Sequence, residues 1–261
     1  MTKRILVTGA AGGVAGMLRP YLREHYRLRL SDRQPVKPEA GEEAAPADLE
    51  DLPALRKAVA GVDGILHLGG YPREADFQTI LHANLIGAYC LFEAARLEGV
   101  KRIVFASSNH AVGFYPRSRT IPVDVTPRPD TRYGLSKAYG EALGSLYADK
   151  YGAEVMSIRI GHVTERPINE RALSIWISPR DLAQLVRIGL ETPNLRHEIV
   201  YGMSGNSRAW WDNSAAYRLG YRPLDNAETY AAEALAAGPG ATGDPRTDLN
   251  QGGPFCIAEE N

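Results

Sequence analysis

Apolar positions along the chain follow two rhythms. Lys3 to Thr8, Arg27 to Ser31, Gly64 to Leu68, Arg102 to Ala106 and Val155 to Ile160 are short runs that read as strands. Little polar alternation breaks the first and third, as expected of parallel strands covered on both faces. Longer stretches between them repeat at helical spacing. Val14 to Glu24, a segment opening near Pro53, Phe77 to Glu98 and Tyr133 to Tyr151 read as helices. Proline is tolerated in a first helical turn, which suits Pro53. In Phe77 to Glu98 the pattern puts Ile80, Leu81, Leu85, Tyr89 and Phe92 on one face. Strands alternating with helices predict an α/β fold, a doubly wound parallel sheet with helices on both faces. Gln34 to Pro46, rich in Pro, Glu and Ala, reads as an exposed loop. Beyond Gly161 the pattern loosens to a helix over Asp181 to Leu190 and a short strand over Ile199 to Tyr201. Glu233 to Asn261 is rich in Ala, Gly and Pro. It reads as a disordered tail or as a segment folded over a site.

The bulk properties narrow the function classes. A chain of 261 residues buries enough surface to fold without a metal or disulfide staple. A formal net charge of -1 gives no basic excess for nucleic acid and no membrane patch, so neither is an expected partner. Cys90 and Cys256 have no ligand-like spacing; no metal site and no disulfide are expected. Met1 to Arg4 runs straight into a strand, and no apolar run is long enough to span a bilayer, so the expected compartment is the cytoplasm.

The chemistry begins at Thr8 to Gly16. The glycines Gly9, Gly12 and Gly13, with Val14, lie between the first strand and the first helix. Glycine lets the backbone turn and approach a pyrophosphate, and the helix start offers free N–H groups to it. This predicts a Rossmann-type domain over residues 1–160, binding a dinucleotide, and a small C-terminal substrate-capping part over 161–261 integrated with it. Asp32 ends the second strand, where a carboxylate can take the adenosine ribose hydroxyls and repel a 2′-phosphate. NAD is therefore the expected cofactor, although Arg33 beside it could accommodate that phosphate. Asp48 and Leu49 could close over the adenine, or Asp48 could cap a helix. Leu68, Gly69 and Gly70 end the third strand close to the cofactor, and His67 reads as a core histidine.

Tyr133 and Lys137 are four residues apart and share one helix face. Oxidising an alcohol by hydride loss also requires removing its proton. A tyrosine must fall from near 10 to about 7 to do this, which takes about 4 kcal/mol of phenolate stabilisation. A neighbouring Lys⁺ and a nicotinamide cation are the expected sources. Ser108, in Ser107-Ser108-Asn109, supplies the hydrogen-bond donor for the substrate oxygen.

Taken together, the glycine pattern, Asp32, Asn84, Ser108, Tyr133 and Lys137 resemble the short-chain dehydrogenase/reductase superfamily, in its extended, epimerase-like branch. That resemblance implies that Asn84 helps hold the lysine through water and that Ile160 lies at the cofactor. The runs His67 to Gly70, Phe105 to His110, Gly113 to Pro116, Arg128 to Asp130, Tyr133 to Lys137, Trp210 to Asn213 and Gln251 to Phe255 are similar to the uronate dehydrogenase family. This implies NAD-dependent oxidation of a cyclic hexuronate, D-glucuronate or D-galacturonate, at C1 to the aldarolactone. The implied sugar site comprises Ser108, Asn109, His110, Tyr133, Arg171 and Phe255, with Arg171 clamping the carboxylate; its alternative is a surface ion pair with Glu170. Pro72 and His162 stand where the family has serines, which bears on substrate, with His162 able to add positive charge. The expected partner is the sugar acid, and the expected assembly a homo-oligomer. An epimerase-like enzyme, a neutral-aldose dehydrogenase and a non-enzymatic NAD-binding protein remain the alternatives.

Overall fold

The computed structural model describes residues 2–240 and 242–258. Nine strands run β1 Arg4–Thr8, β2 Arg27–Ser31, β3 Glu42–Ala44, β4 Gly64–His67, β5 Arg102–Ser108, β6 Glu154–Ile160, β7 His162–Val163, β8 Trp176–Ile177 and β9 His197–Gly202. Seven form one parallel sheet in the order β3-β2-β1-β4-β5-β6-β9, and β7 pairs with β8 apart from it. The strand order reverses between β1 and β4, and the crevice above their carboxyl ends is where such sheets bind ligands.

Both faces of the sheet are covered, as uninterrupted apolar strands require. Ile5, Val7, Leu28, Leu30, Val104, Met156 and Ile158 pack under α1 (Gly13–Arg23) and α7 (Pro179–Glu191). Their alternates Leu6, Ile65, Ile103, Phe105 and Val155 pack under α2 (Leu52–Val59), α4 (Gly87–Leu97) and α5 (Arg132–Tyr151). Pro53 sits in the first turn of α2, and Asp51 caps it by accepting from Ala54 N. At Gly140 a Cβ would lie 2.1 Å from Phe105 Cζ, so α5 comes down almost onto β5.

Two expectations change. The loop over 34–46 contains β3, an edge strand whose glutamates are held by Arg19 and Arg29 rather than by apolar burial. The long helix is not uniform: α3 (Phe77–Ile80) passes through a π segment, Leu81–Ile86, into α4. The wider turn shifts the phase, so Tyr89 is 47% exposed while Asn84 is buried. The C-terminal part, expected as a cap integrated with the domain, also supplies sheet and cover: β9 is the edge strand beside β6, and α7 packs on one face. Residues 242–258 fold back onto the body: Gln251 N donates to Tyr115 O, Gln251 Nε2 to Pro116 O and Arg119 O, and Trp211 Nε1 to Gln251 Oε1.

Candidate active site

The carboxyl ends of β1, β2 and β4 surround a cavity of ≈ 490 Å³. Gly9, Gly12, Gly13, Val14, Asp32, Arg33, Asp48, Leu49, Leu68, Gly69, Gly70 and Pro72 all line it. Gly9 has φ +67°, and a Cβ there would lie 2.7 Å from Gly69 N. Two strand ends are thus in contact through glycine backbone, and a side chain at either would fill the cradle. Gly12, the residue before α1, offers no side-chain cap, which leaves the first N–H groups of the helix for an anion. Asp32 accepts from Ala11 N and Gln34 N, tying the glycine loop to the end of β2. Asp48 accepts from Glu50 N and is not the cap of α2. Ser31, absent from the sequence expectations, lines the same cavity with a buried hydroxyl that has no partner. An adenosine dinucleotide fits this donor set: backbone N–H for phosphate, carboxylate and hydroxyl for ribose.

The candidate catalytic groups converge at the next strand along. Ser108 ends β5, and its hydroxyl accepts from His110 N. Thr131 caps α5 by accepting from Gly134 N, which places Tyr133 in the first turn. Lys137 is buried one turn on; its Nζ donates to Ala106 O at 2.9 Å and stands 5.5 Å from the Tyr133 ring centre. Burial pushes the Tyr133 phenol up to about 12; the Ser108 hydroxyl pulls it back and the charge of Asp130 pushes it further up. Burial also holds Lys137 down, at about 8. The protein alone therefore leaves the phenol well above the value near 7 that its role needs. Below this pair, Arg159 forks onto Glu141 with two 2.8 Å bonds, and Ser107 Oγ donates to Glu141 at 2.6 Å, locking α5 to β5 and β6. His67 is fully in the core. Its Nδ1 meets Thr8 Oγ1 at 2.6 Å, and burial drives it down to about 3, so it is a neutral structural group.

Asn84 is buried, and its side chain is fully engaged. Its Oδ1 accepts from Tyr71 N, and its Nδ2 donates to Tyr71 O and Ser136 Oγ. The π segment turns this side chain inward, where it ties the loop carrying Pro72 to the catalytic helix. Glu74 makes a second tie, accepting from Tyr133 N and Arg132 Nη1.

Arg171 is half-buried, and among the described residues it forms no ion pair, neither with Glu170 nor with a neighbouring carboxylate. Its Nη2 donates to Gln251 O at 2.6 Å, while Nε is buried without a partner. Burial first, and then nearby Arg117, lowers its guanidinium to about 10. His162 lies within reach of that charge; burial first, and then Arg171, hold its imidazole below the ordinary value. Phe255 stacks on His110 with ring centres 3.8 Å apart and reaches to 6.2 Å from Tyr133. Asn109 Nδ2 is a further buried donor without a partner. Ile160 ends β6 beside Ser108, outside the lining of the dinucleotide cavity. Cys90 and Cys256 are buried and free. Among the described residues no cluster of His, Cys, Asp or Glu is placed to hold a metal, and no helix is long and apolar enough to cross a membrane.

Residues 5–179 match the model of the NAD dependent epimerase/dehydratase family. The chain belongs to that family. Within it, the chain is 48% identical to a uronate dehydrogenase of Pseudomonas putida, over 98% of this chain and 96% of that protein. It is 37% identical to an NAD-dependent glucose-6-phosphate dehydrogenase of Haloferax volcanii, over 89% and 97%. A crystal structure of a mutant uronate dehydrogenase from Agrobacterium tumefaciens complexed with NAD superposes with a TM-score of 0.94 at 43% identity, covering 98% of both chains.

Proposed function

We propose that this protein is an NAD-dependent dehydrogenase that oxidises the C1 hydroxyl of a cyclic hexuronate to the aldarolactone. One observation carries the substrate class: Arg171 has a buried Nε without a partner, and it feels the charge of Asp130, the same carboxylate that bears on Tyr133. A planar carboxylate is the group its fork matches. The similarity to uronate dehydrogenases over nearly the whole chain supports the same reading.

Bound NAD supplies the hydride acceptor and a positive charge beside the phenol. Gly9, Gly12, Gly13 and Asp32 hold its phosphates and ribose. Ser108 donates to the C1 oxygen and Tyr133 takes the hydroxyl proton. Lys137 faces the Tyr133 ring and favours the phenolate while protonated. Arg171 fixes the C6 carboxylate, His110 and Asn109 take ring hydroxyls, and Phe255 covers the sugar face. Pro72 and His162 border this space and set which uronate is preferred. The C1 hydride leaves as the hydroxyl proton goes to Tyr133, and the ring carbonyl that remains is the lactone.

The test is NADH formation across glucuronate, galacturonate, glucose, galactose and glucose 6-phosphate. The uronates should give the highest kcat/KM. Faster oxidation of a neutral aldose would overturn the substrate class and leave the dehydrogenase standing; retained NAD with no net turnover would favour an epimerase-like enzyme. A cytoplasmic setting belongs to the same proposal, favoured by two free thiols. So does a homo-oligomer of this chain: Leu135 and Leu146 on α5, with Tyr89 on α4, form an exposed apolar face. Light scattering showing a monomer would refute that assembly.

A further inference from the structure

His110 does not stand alone. Its Nδ1 meets Asp130 Oδ2 at 2.7 Å, and the Asp130 side chain is 0% exposed. Three glycines from separate parts of the chain form a socket around that carboxylate. A Cβ at Gly113 would lie 1.8 Å from Asp130 Oδ2, one at Gly252 2.0 Å from the same atom, and one at Gly134 3.0 Å from Oδ1. The second oxygen, Oδ1, accepts from Thr131 Oγ1 at 3.0 Å. Backbone is therefore drawn in from the 3-10 turn after β5, the start of α5 and the C-terminal segment to enclose one carboxylate.

We infer that Asp130 is a positioning residue that sets the tautomer of His110 and, through it, the contact to a substrate hydroxyl. The identity of that ligand rests on the uronate reading; the tautomer does not. A carboxylate only accepts, so Nδ1 must carry the hydrogen. In the neutral ring Nε2 is then an acceptor, and no described residue bonds to it. Phe255 stacked on one face and Tyr133 edge-on fix the ring plane. His110 thus presents one lone pair, at a set angle, beside the proton-accepting phenol.

Asp130→Asn tests this sharply because Thr131 decides how the amide sits. The Thr131 hydroxyl keeps the amide oxygen, so the NH₂ group faces His110 Nδ1. The imidazole must then move its hydrogen to Nε2, turning an acceptor into a donor. Two-dimensional ¹H–¹⁵N spectra of histidine-labelled protein read the tautomer directly. In the wild type the neutral His110 ring should be protonated at Nδ1, and in Asp130→Asn at Nε2. KM for hexuronate should rise about tenfold, with kcat changed less than about threefold and NAD affinity unchanged. Added to His110→Ala, the same substitution should cost less than about twofold. Nε2 protonation in the neutral wild-type ring would overturn the assignment. So would an Asp130→Asn loss that persists in full beside His110→Ala, since the carboxylate would then act through Tyr133 or Arg171, both of which feel its charge. The wild-type spectrum decides the matter even if the variant does not fold. Should no hexuronate be turned over, the substrate reading falls while the spectra still decide the role of Asp130.

Discussion

Arg171 is a charge held at a cost, and the cost can be sized. Its guanidinium falls from 12.5 to about 10, chiefly through burial, with Arg117 adding to it. At 1.36 kcal/mol per pH unit that is about 3 kcal/mol of unfavourable charging. A bound carboxylate offsets this, and charge-assisted hydrogen bonds contribute a similar 1.5–3 kcal/mol. Arg171→Ala should therefore lower kcat/KM for glucuronate and galacturonate by roughly a hundredfold, and for glucose or galactose hardly at all. Arg171→Lys should recover only part, because an ammonium has no fork. The same argument makes a stability forecast with the opposite sign. Arg171→Met removes a half-buried cation that has no ionic partner among the described residues, so the ligand-free protein should melt a few degrees higher. Steady-state NADH assays and thermal unfolding on the same preparations check both. Equal losses on uronates and neutral aldoses would refute the clamp; the guanidinium would then serve to hold the C-terminal segment through Gln251 O.

Tyr133→Phe keeps the ring and should lower kcat about a hundredfold or more, with NAD binding measured by fluorescence titration unchanged. Turnover with NAD should far exceed turnover with NADP. Asp32→Asn, which retains an acceptor for Ala11 N and Gln34 N while losing the charge, should narrow the gap more cleanly than Asp32→Ala. Lys137 is lowered from 10.5 to about 8 by burial. Above about pH 8 the folded form sheds this proton and the unfolded form holds it to about 10.5, so Lys137 destabilises most below 8 and progressively less up to 10.5. Urea midpoints should accordingly favour Lys137→Met at pH 7, with the difference from wild type shrinking by pH 10. Pro20 lies exposed inside α1, where proline removes a helix hydrogen bond; Pro20→Ala should raise the melting temperature without altering kcat.

The parts of the fold that were legible were those where burial writes a pattern. β2 was read to the residue, because Leu28 and Leu30 point into the core and Ser31 opens onto the cofactor cavity. β3 left no such mark: Glu42 and Glu43 pair at the sheet edge and are held by arginines, so their strand looks like loop. The face assigned to the long helix failed at Tyr89 because a π segment carries no sequence signature of its own, and it moves every later side chain around the axis. The glycine loop, Asp32, Ser108, Tyr133 and Lys137 were readable because each sits at a fixed offset from a strand or helix end. Asp130, Glu74 and Ser31 were not. Their roles arise only when distant segments meet, and an aspartate among prolines looks like any solvated turn. The surroundings of His162 were unreadable for the same reason: its burial and the nearness of Arg171, which lower its imidazole, arise only in the folded chain.

The two ligand sites mature at different points along the polypeptide. The residues around the dinucleotide cavity run from Gly9 to Ala83 among those described, whereas the surroundings of His110 and Arg171 wait for Gln251 and Phe255 to dock. A ribosome adding about 5–20 residues per second needs roughly 10 to 30 seconds to cover that interval. During it, Arg171 lacks the carbonyl of Gln251 to which it donates, and His110 lacks the ring that stacks on it. A chain stopped before residue 250 should accordingly bind a sugar acid more weakly than the full chain, however well its glycine loop is formed.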